Sequence, residues 1–147
     1  MAQRHDALGT AWEWTEMTHL AACPCGQLQL ACRGDPVRVS VCHCLDCQRR
    51  SGSAFAVQAR FAPEMVTVSG VCRERTRISD TGNTAVFHFC PDCGTTIWYH
   101  AMPDPTLFAV PVGLFADPAF PGPSYSVYED RKHGWIEIVG DSIEHYA

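Results

Sequence analysis

Nothing in these 147 residues approaches the run of about 20 apolar residues that a bilayer-spanning helix needs. The opening Met1-Ala-Gln-Arg-His-Asp6 lacks the apolar core of a signal peptide, so a cytoplasmic, reducing address is the expectation. Basic residues are in deficit: 11 Lys and Arg stand against 16 Asp and Glu, for a net charge of -5. A surface of that sign repels phosphate backbones and argues against a nucleic-acid partner. No repeat, low-complexity tract or clear linker interrupts the chain, and no helical hydrophobic period lasts about 12 residues. Residues 1–17 read as a poorly defined arm, with Ala11-Trp-Glu-Trp-Thr15 left open, and residues 18–147 as one domain.

What is present is short alternation. Leu28 and Leu30 share one face of a run, as do Val37, Val39 and Val41, and Phe55, Val57, Ala59 and Phe61. Val66–Val68, Thr84–Cys90, Thr95–His100, Thr106–Val110, Tyr125–Tyr128 and Trp135–Val139 complete the set. A period of two with β-branched and aromatic residues predicts half-buried antiparallel strands. Turn formers separate them, as in Arg33-Gly-Asp-Pro36 and Phe120-Pro-Gly-Pro-Ser124, and Gly113–Asp117 allows one helical turn. The expected class is all-β, with small antiparallel sheets organised by metal and little helix.

Seven of the nine cysteines fall in three clusters: Cys23-Pro-Cys25-Gly26, Cys42-His-Cys44-Leu-Asp-Cys47 and Cys90-Pro-Asp-Cys93-Gly94. Nine is odd, and a Cys-x-Cys disulfide needs strained backbone, so metal binding is favoured over disulfides. Cys90-Pro-Asp-Cys93 is a zinc knuckle: two intervening residues let a tight turn aim both sulfurs at one ion. Cys23 and Cys25 are the natural second half of a four-thiolate site joining segments 65 positions apart. Cys42, Cys44 and Cys47 offer three thiolates from one loop. A fourth ligand there is water, substrate, or one of His43, Asp46, Cys32, Cys72, His88 and His100. The His43 ring points away if the segment is extended. Asp46 is a hard donor poorly matched to sulfur. Cys32 and Cys72 read better as packing residues. The triplet is either a reactive site or a second structural one, with a single shared redox centre as a further alternative.

These motifs, together with Gly52-Ser-Ala-Phe55, Trp135 and the ending Asp141-Ser-Ile-Glu-His-Tyr146, closely resemble the glutathione-dependent formaldehyde-activating enzyme family, which includes centromere protein V. The resemblance covers about residues 18 to 146. It implies an Mss4-like fold with a structural zinc at Cys23, Cys25, Cys90 and Cys93, and a catalytic zinc at Cys42, Cys44 and Cys47. It also implies the family's activity, condensation of formaldehyde with glutathione to S-hydroxymethylglutathione, a carbon–sulfur lyase reaction written in reverse. One position departs: the residue after the third triplet cysteine, often arginine in the family, is Gln48, and Arg49 and Arg50 follow.

The expectation is therefore an enzyme whose three-thiolate zinc takes a thiol or aldehyde. Gly52, Ser53 and Phe55 line its pocket, and Arg49 or Arg50 meets a substrate carboxylate. Zinc and a glutathione-like co-substrate are the implied cofactors, and small-molecule thiol and aldehyde the partners. A non-catalytic zinc-stabilised binding module is the alternative. An Mss4-like methionine sulfoxide reductase is disfavoured, because that enzyme needs a reactive cysteine in a C-terminal strand and none follows Cys93.

Overall fold

A computed structural model describes residues 17–78, 82–102 and 105–147. The arm expected over residues 1–17 therefore lies outside the described residues except for Met17. Among the described residues eleven strands form two sheets: β1 (Thr18–Ala22), β2 (Gln29–Arg33), β3 (Arg38–Cys42), β4 (Ala56–Phe61), β5 (Val66–Ser69), β6 (Arg73–Ile78), β7 (Thr84–Phe89), β8 (Thr96–Met102), β9 (Phe108–Pro111), β10 (Tyr125–Val127) and β11 (Glu144–His145). The smaller sheet has the order β1-β2-β5, and the larger β11-β10-β3-β4-β9-β8-β7-β6. One short α-helix among the described residues, α1 (Leu45–Ser51), follows β3 directly. The expected all-β class with little helix holds. Pairing is antiparallel through β9, and β10 then joins β3 and β11 in parallel.

Alternation sets which residues meet. On β3, Val39 and Val41 face the core, while Arg38, Ser40 and Cys42 point to the opposite face of the sheet. The core contains Leu28, Leu30, Phe61, Ile97 and Val110, each at most 1% exposed. Each such side chain contributes about 1.5–3 kcal/mol on burial. Cys32 is fully buried there, and Cys72 packs at its edge, as free cysteines that behave as small hydrophobes do. The turn expected over Gly113–Asp117 is a 3-10 turn at Val112–Phe115.

One expected strand is corrected. Trp135–Val139 forms no strand: Ile136 N–H donates to His133 C=O at 3.0 Å in a turn, and only Ile136 of the run is buried. The turn at Gly134–Trp135 breaks the extended backbone where the run begins, and no strand of either sheet pairs with it. Strands β1, β6 and β11 escaped the pattern. β6 carries Arg73, Arg75 and Arg77 at alternate positions and closes one edge of the large sheet, where charge deters pairing with another chain.

Candidate functional site

Two hairpin ends build the first cysteine cluster. After β1, Gly26 N–H donates to Cys23 C=O at 2.9 Å; after β7, Gly94 N–H donates to Cys90 C=O at 2.7 Å. Both glycines sit at φ 81°, a region costly for any residue with a Cβ. The four sulfurs lie within 4.8 Å of one another, with Cys23 to Cys25 at 3.6 Å and Cys25 to Cys90 at 3.7 Å. A zinc ion with bonds of about 2.3 Å needs sulfur separations of about 3.8 Å, so the donor set fits. Gln27 Nε2 donates to Cys90 Sγ at 3.1 Å, and Leu28 N–H to Cys23 Sγ at 3.4 Å, which stabilises negative sulfur. Thr95, through its hydroxyl and N–H, brings Cys93 down to about 6.

The second cluster comes from the junction of β3 and α1. Cys42 is the last residue of β3, Cys44 caps the helix and Cys47 lies in its first turn. Cys44 Sγ accepts the Cys47 N–H at 3.3 Å, as the side-chain acceptor of an N-cap does. The helix stops at Gly52, which turns left-handed at φ 73° and donates its N–H to Gln48 C=O at 2.9 Å. The three sulfurs again lie within 4.8 Å of one another, which suits zinc, and no fourth Cys, His or carboxylate joins the group among the described residues. His43, Asp46, Cys32, Cys72, His88 and His100 are all outside it. The trio divides its protons unequally. Hydrogen bonding to Cys42, then to Cys44, brings Cys47 down to about 6, and the Arg50 guanidinium adds to this. The same bond to Cys47, with burial, pushes Cys42 far up.

Behind the triplet runs a polar chain. His43 is fully buried, and its Nε2 meets Ser126 Oγ at 3.0 Å. Burial holds its pKa below the ordinary value. A hydrogen bond from Ser126 keeps the Glu129 carboxyl low, and His145, at 2.7 Å, reinforces it. Gln48 has a structural role: its Nε2 donates to His43 C=O at 2.8 Å and to Arg131 C=O at 3.2 Å, while its Oε1 meets His133 Nε2 at 2.9 Å. The residue that departs from the family's arginine thus ties the triplet turn to the C-terminal segment.

The expected pocket residues have mixed placements. Gly52 and Ser53 are exposed just beyond the helix, and Phe55 packs against the His43 ring at 6.1 Å between centroids. Of the two arginines, Arg49 is exposed. Arg50 lies over the sheet, 5.0 Å from the Tyr99 ring and 5.7 Å from Phe87, and its Nη2 is buried with no hydrogen-bond partner among the described residues. Tyr99 and Arg60 were not singled out by sequence. Tyr99 feels Cys47, Arg50, Arg60 and Cys42, and burial pushes its hydroxyl pKa up. The available signal was alternation in β8, which sets Tyr99 on the face opposite to Trp98 and His100.

A family model described as glutathione-dependent formaldehyde-activating enzyme matches residues 18–131. No curated protein matches significantly. Among solved structures, the crystal structure of a Rhodobacter sphaeroides protein is similar, with 20% identity and a TM-score of 0.48 over 65% of this chain and 85% of that one. Among the described residues no helix is long and apolar enough to cross a membrane.

Proposed function

Because the chain belongs to the glutathione-dependent formaldehyde-activating enzyme family, we propose that it joins a small aldehyde to a thiol at the Cys42–Cys44–Cys47 turn. The observation that carries this reading is the contrast in donor sets: four sulfurs close one cluster, while three stand together at the other. A closed set suits structure, and a set of three leaves a position for chemistry. Zinc held by the triplet would lower the pKa of a thiol drawn to it and keep that thiolate soft and transferable.

In the reaction the thiol S–H bond breaks and a sulfur–carbon bond forms. The C=O π pair moves to oxygen, which finishes with the proton. The hydroxyl of Tyr99, kept neutral by burial, is the donor for the aldehyde oxygen. Arg50 adds positive charge where negative charge collects. Gly52, Ser53 and Phe55 are proposed as the near wall, and alignment of thiol and carbonyl supplies further acceleration. Cys23, Cys25, Cys90 and Cys93 hold a second, structural zinc within a single unit of residues 18–147. A reducing cytoplasm fits the free state of all nine cysteines.

The test is the rate of carbon–sulfur bond formation by zinc-loaded protein with formaldehyde and glutathione. Turnover above background that is abolished in Cys44→Ser supports the reading. Full activity in that variant removes the triplet from the mechanism. No turnover with any thiol and aldehyde leaves a zinc-stabilised binding module.

A further inference from the structure

On the triplet's face of the large sheet, one row of cross-strand partners runs over six strands: Arg38, Arg60, Ala109, Tyr99, Phe87 and Arg75. Arg38 and Arg60 are directly opposite each other on β3 and β4. Like charges so placed destabilise a sheet. No carboxylate pairs with either among the described residues. Arg60 is partly buried, and its Nη1 donates at 2.6 Å to a neutral acceptor, Ser40 Oγ. Burial lowers the Arg60 pKa, and Arg38 lowers it further. A half-buried guanidinium set beside a second one, with no carboxylate paired to either among the described residues, suits an anionic ligand.

A cavity of about 280 Å³ opens beside the pair, with Arg38, Arg60, Tyr99, Thr106 and Ala109 in its lining. Ala109 lies between Arg60 and Tyr99 in the row, and its small side chain leaves the floor free. Cys42 lies on the same strand and face as Arg38, four residues on, or about 13 Å between Cα atoms. Arg60 feels the charges of Cys42 and Cys47 directly.

We propose that Arg38 and Arg60 form a carboxylate subsite, so that the thiol used at the triplet carries a carboxylate several bonds from its sulfur. This rests on the reading of the triplet as the thiol site. A planar carboxylate between two guanidiniums receives charge-assisted hydrogen bonds and removes the repulsion between the arginines. The aldehyde needs no charge, and specificity for the thiol lies at this pair of arginines.

The experiment has two arms. In the first, zinc-loaded protein is assayed with formaldehyde and either glutathione, an acidic thiol, or neutral 2-mercaptoethanol. The expected result is a lower KM for glutathione than for 2-mercaptoethanol. Arg38→Gln, an exposed position that leaves folding intact, raises the glutathione KM about 10- to 100-fold with kcat kept and the 2-mercaptoethanol rate unchanged. Arg60→Gln does the same if it folds. The second arm needs no turnover: calorimetric binding of S-methylglutathione, which has carboxylates and no thiol. Wild type binds it and Arg38→Gln binds at least about tenfold more weakly. Equal use of acidic and neutral thiols, or S-methylglutathione binding unchanged in Arg38→Gln, overturns the subsite while leaving the proposed reaction standing. If no thiol turns over but S-methylglutathione binds through Arg38, the reaction fails and the subsite survives.

Discussion

At the four-cysteine cluster, hairpin ends from the two different sheets converge: Cys23 and Cys25 follow β1 of the small sheet, and Cys90 and Cys93 follow β7 of the large one. At the triplet, every sulfur comes from a single strand-to-helix turn within six residues. The first arrangement joins distant chain segments, so metal binding there is folding energy. The second closes almost no loop, and its sulfurs are already brought together by β3, α1 and the polar chain behind His43. Sulfur count follows the same division. What the contrast teaches is that equal ligand chemistry serves opposite ends, according to how much chain the metal must tie together.

The largest expected effect breaks the structural side. A structural zinc contributes about 10–16 kcal/mol, which matches or exceeds the whole stability of about 5–15 kcal/mol of an ordinary domain. Cys90→Ser, or a strong chelator, should abolish the cooperative melt and the far-UV β signal. Next, Cys44→Ser should lower the rate of carbon–sulfur bond formation by about 100-fold or more. Its melting temperature should move by only a few degrees, as measured by circular dichroism. If it unfolds like Cys90→Ser, the two clusters are both structural. Third, Tyr99→Phe should cut kcat by about 10- to 100-fold without altering zinc content.

Smaller effects come from the supports of the triplet. Gln48→Ala removes three hydrogen bonds, one to His43 within the triplet turn and two to the 131–133 segment. It should cost about 2 kcal/mol in urea titration and depress activity more than it loosens the four-cysteine zinc. The smallest concerns Glu129, held below its ordinary value of 4.5. Its stabilising contribution is complete above that value and is lost as pH falls through the lower folded pKa. Stability should therefore slope downward in acid, and Glu129→Gln should remove less than about 1 kcal/mol of that slope.

Much of this was legible in the sequence. Alternation in Val37–Val41 and Ala54–Phe61 yields β3 and β4 because the apolar residues of each share one face, although Ser40, Cys42 and Gln58 are buried on the other, and cysteine spacing gives the triplet and each pair because sulfurs two or three residues apart can meet one ion. The failures are informative as well. Trp135–Val139 alternates like a strand, but the turn at Gly134–Trp135 breaks it and no strand pairs with it, and a pairing partner is something no single segment encodes. β6 was missed because its arginines lie along a sheet edge over Phe87, with Arg75 at 5.3 Å and Arg77 at 4.9 Å, so its apolar contacts come from side-chain stems. Tyr99 and Arg60 reach the site through cross-strand register, a property of pairs of strands. Gln48 looked like a lost arginine until its three partners were visible.

The central claim is that one cluster is closed and the other takes a substrate sulfur. Zinc-edge X-ray absorption on the purified protein, before and after adding glutathione, tests it most directly. The account predicts two zinc ions per chain with an average of about 3.5 sulfur ligands each at rest, rising to about 4 with the thiol. A single zinc per chain, or a sulfur count that the thiol leaves unchanged, would contradict it.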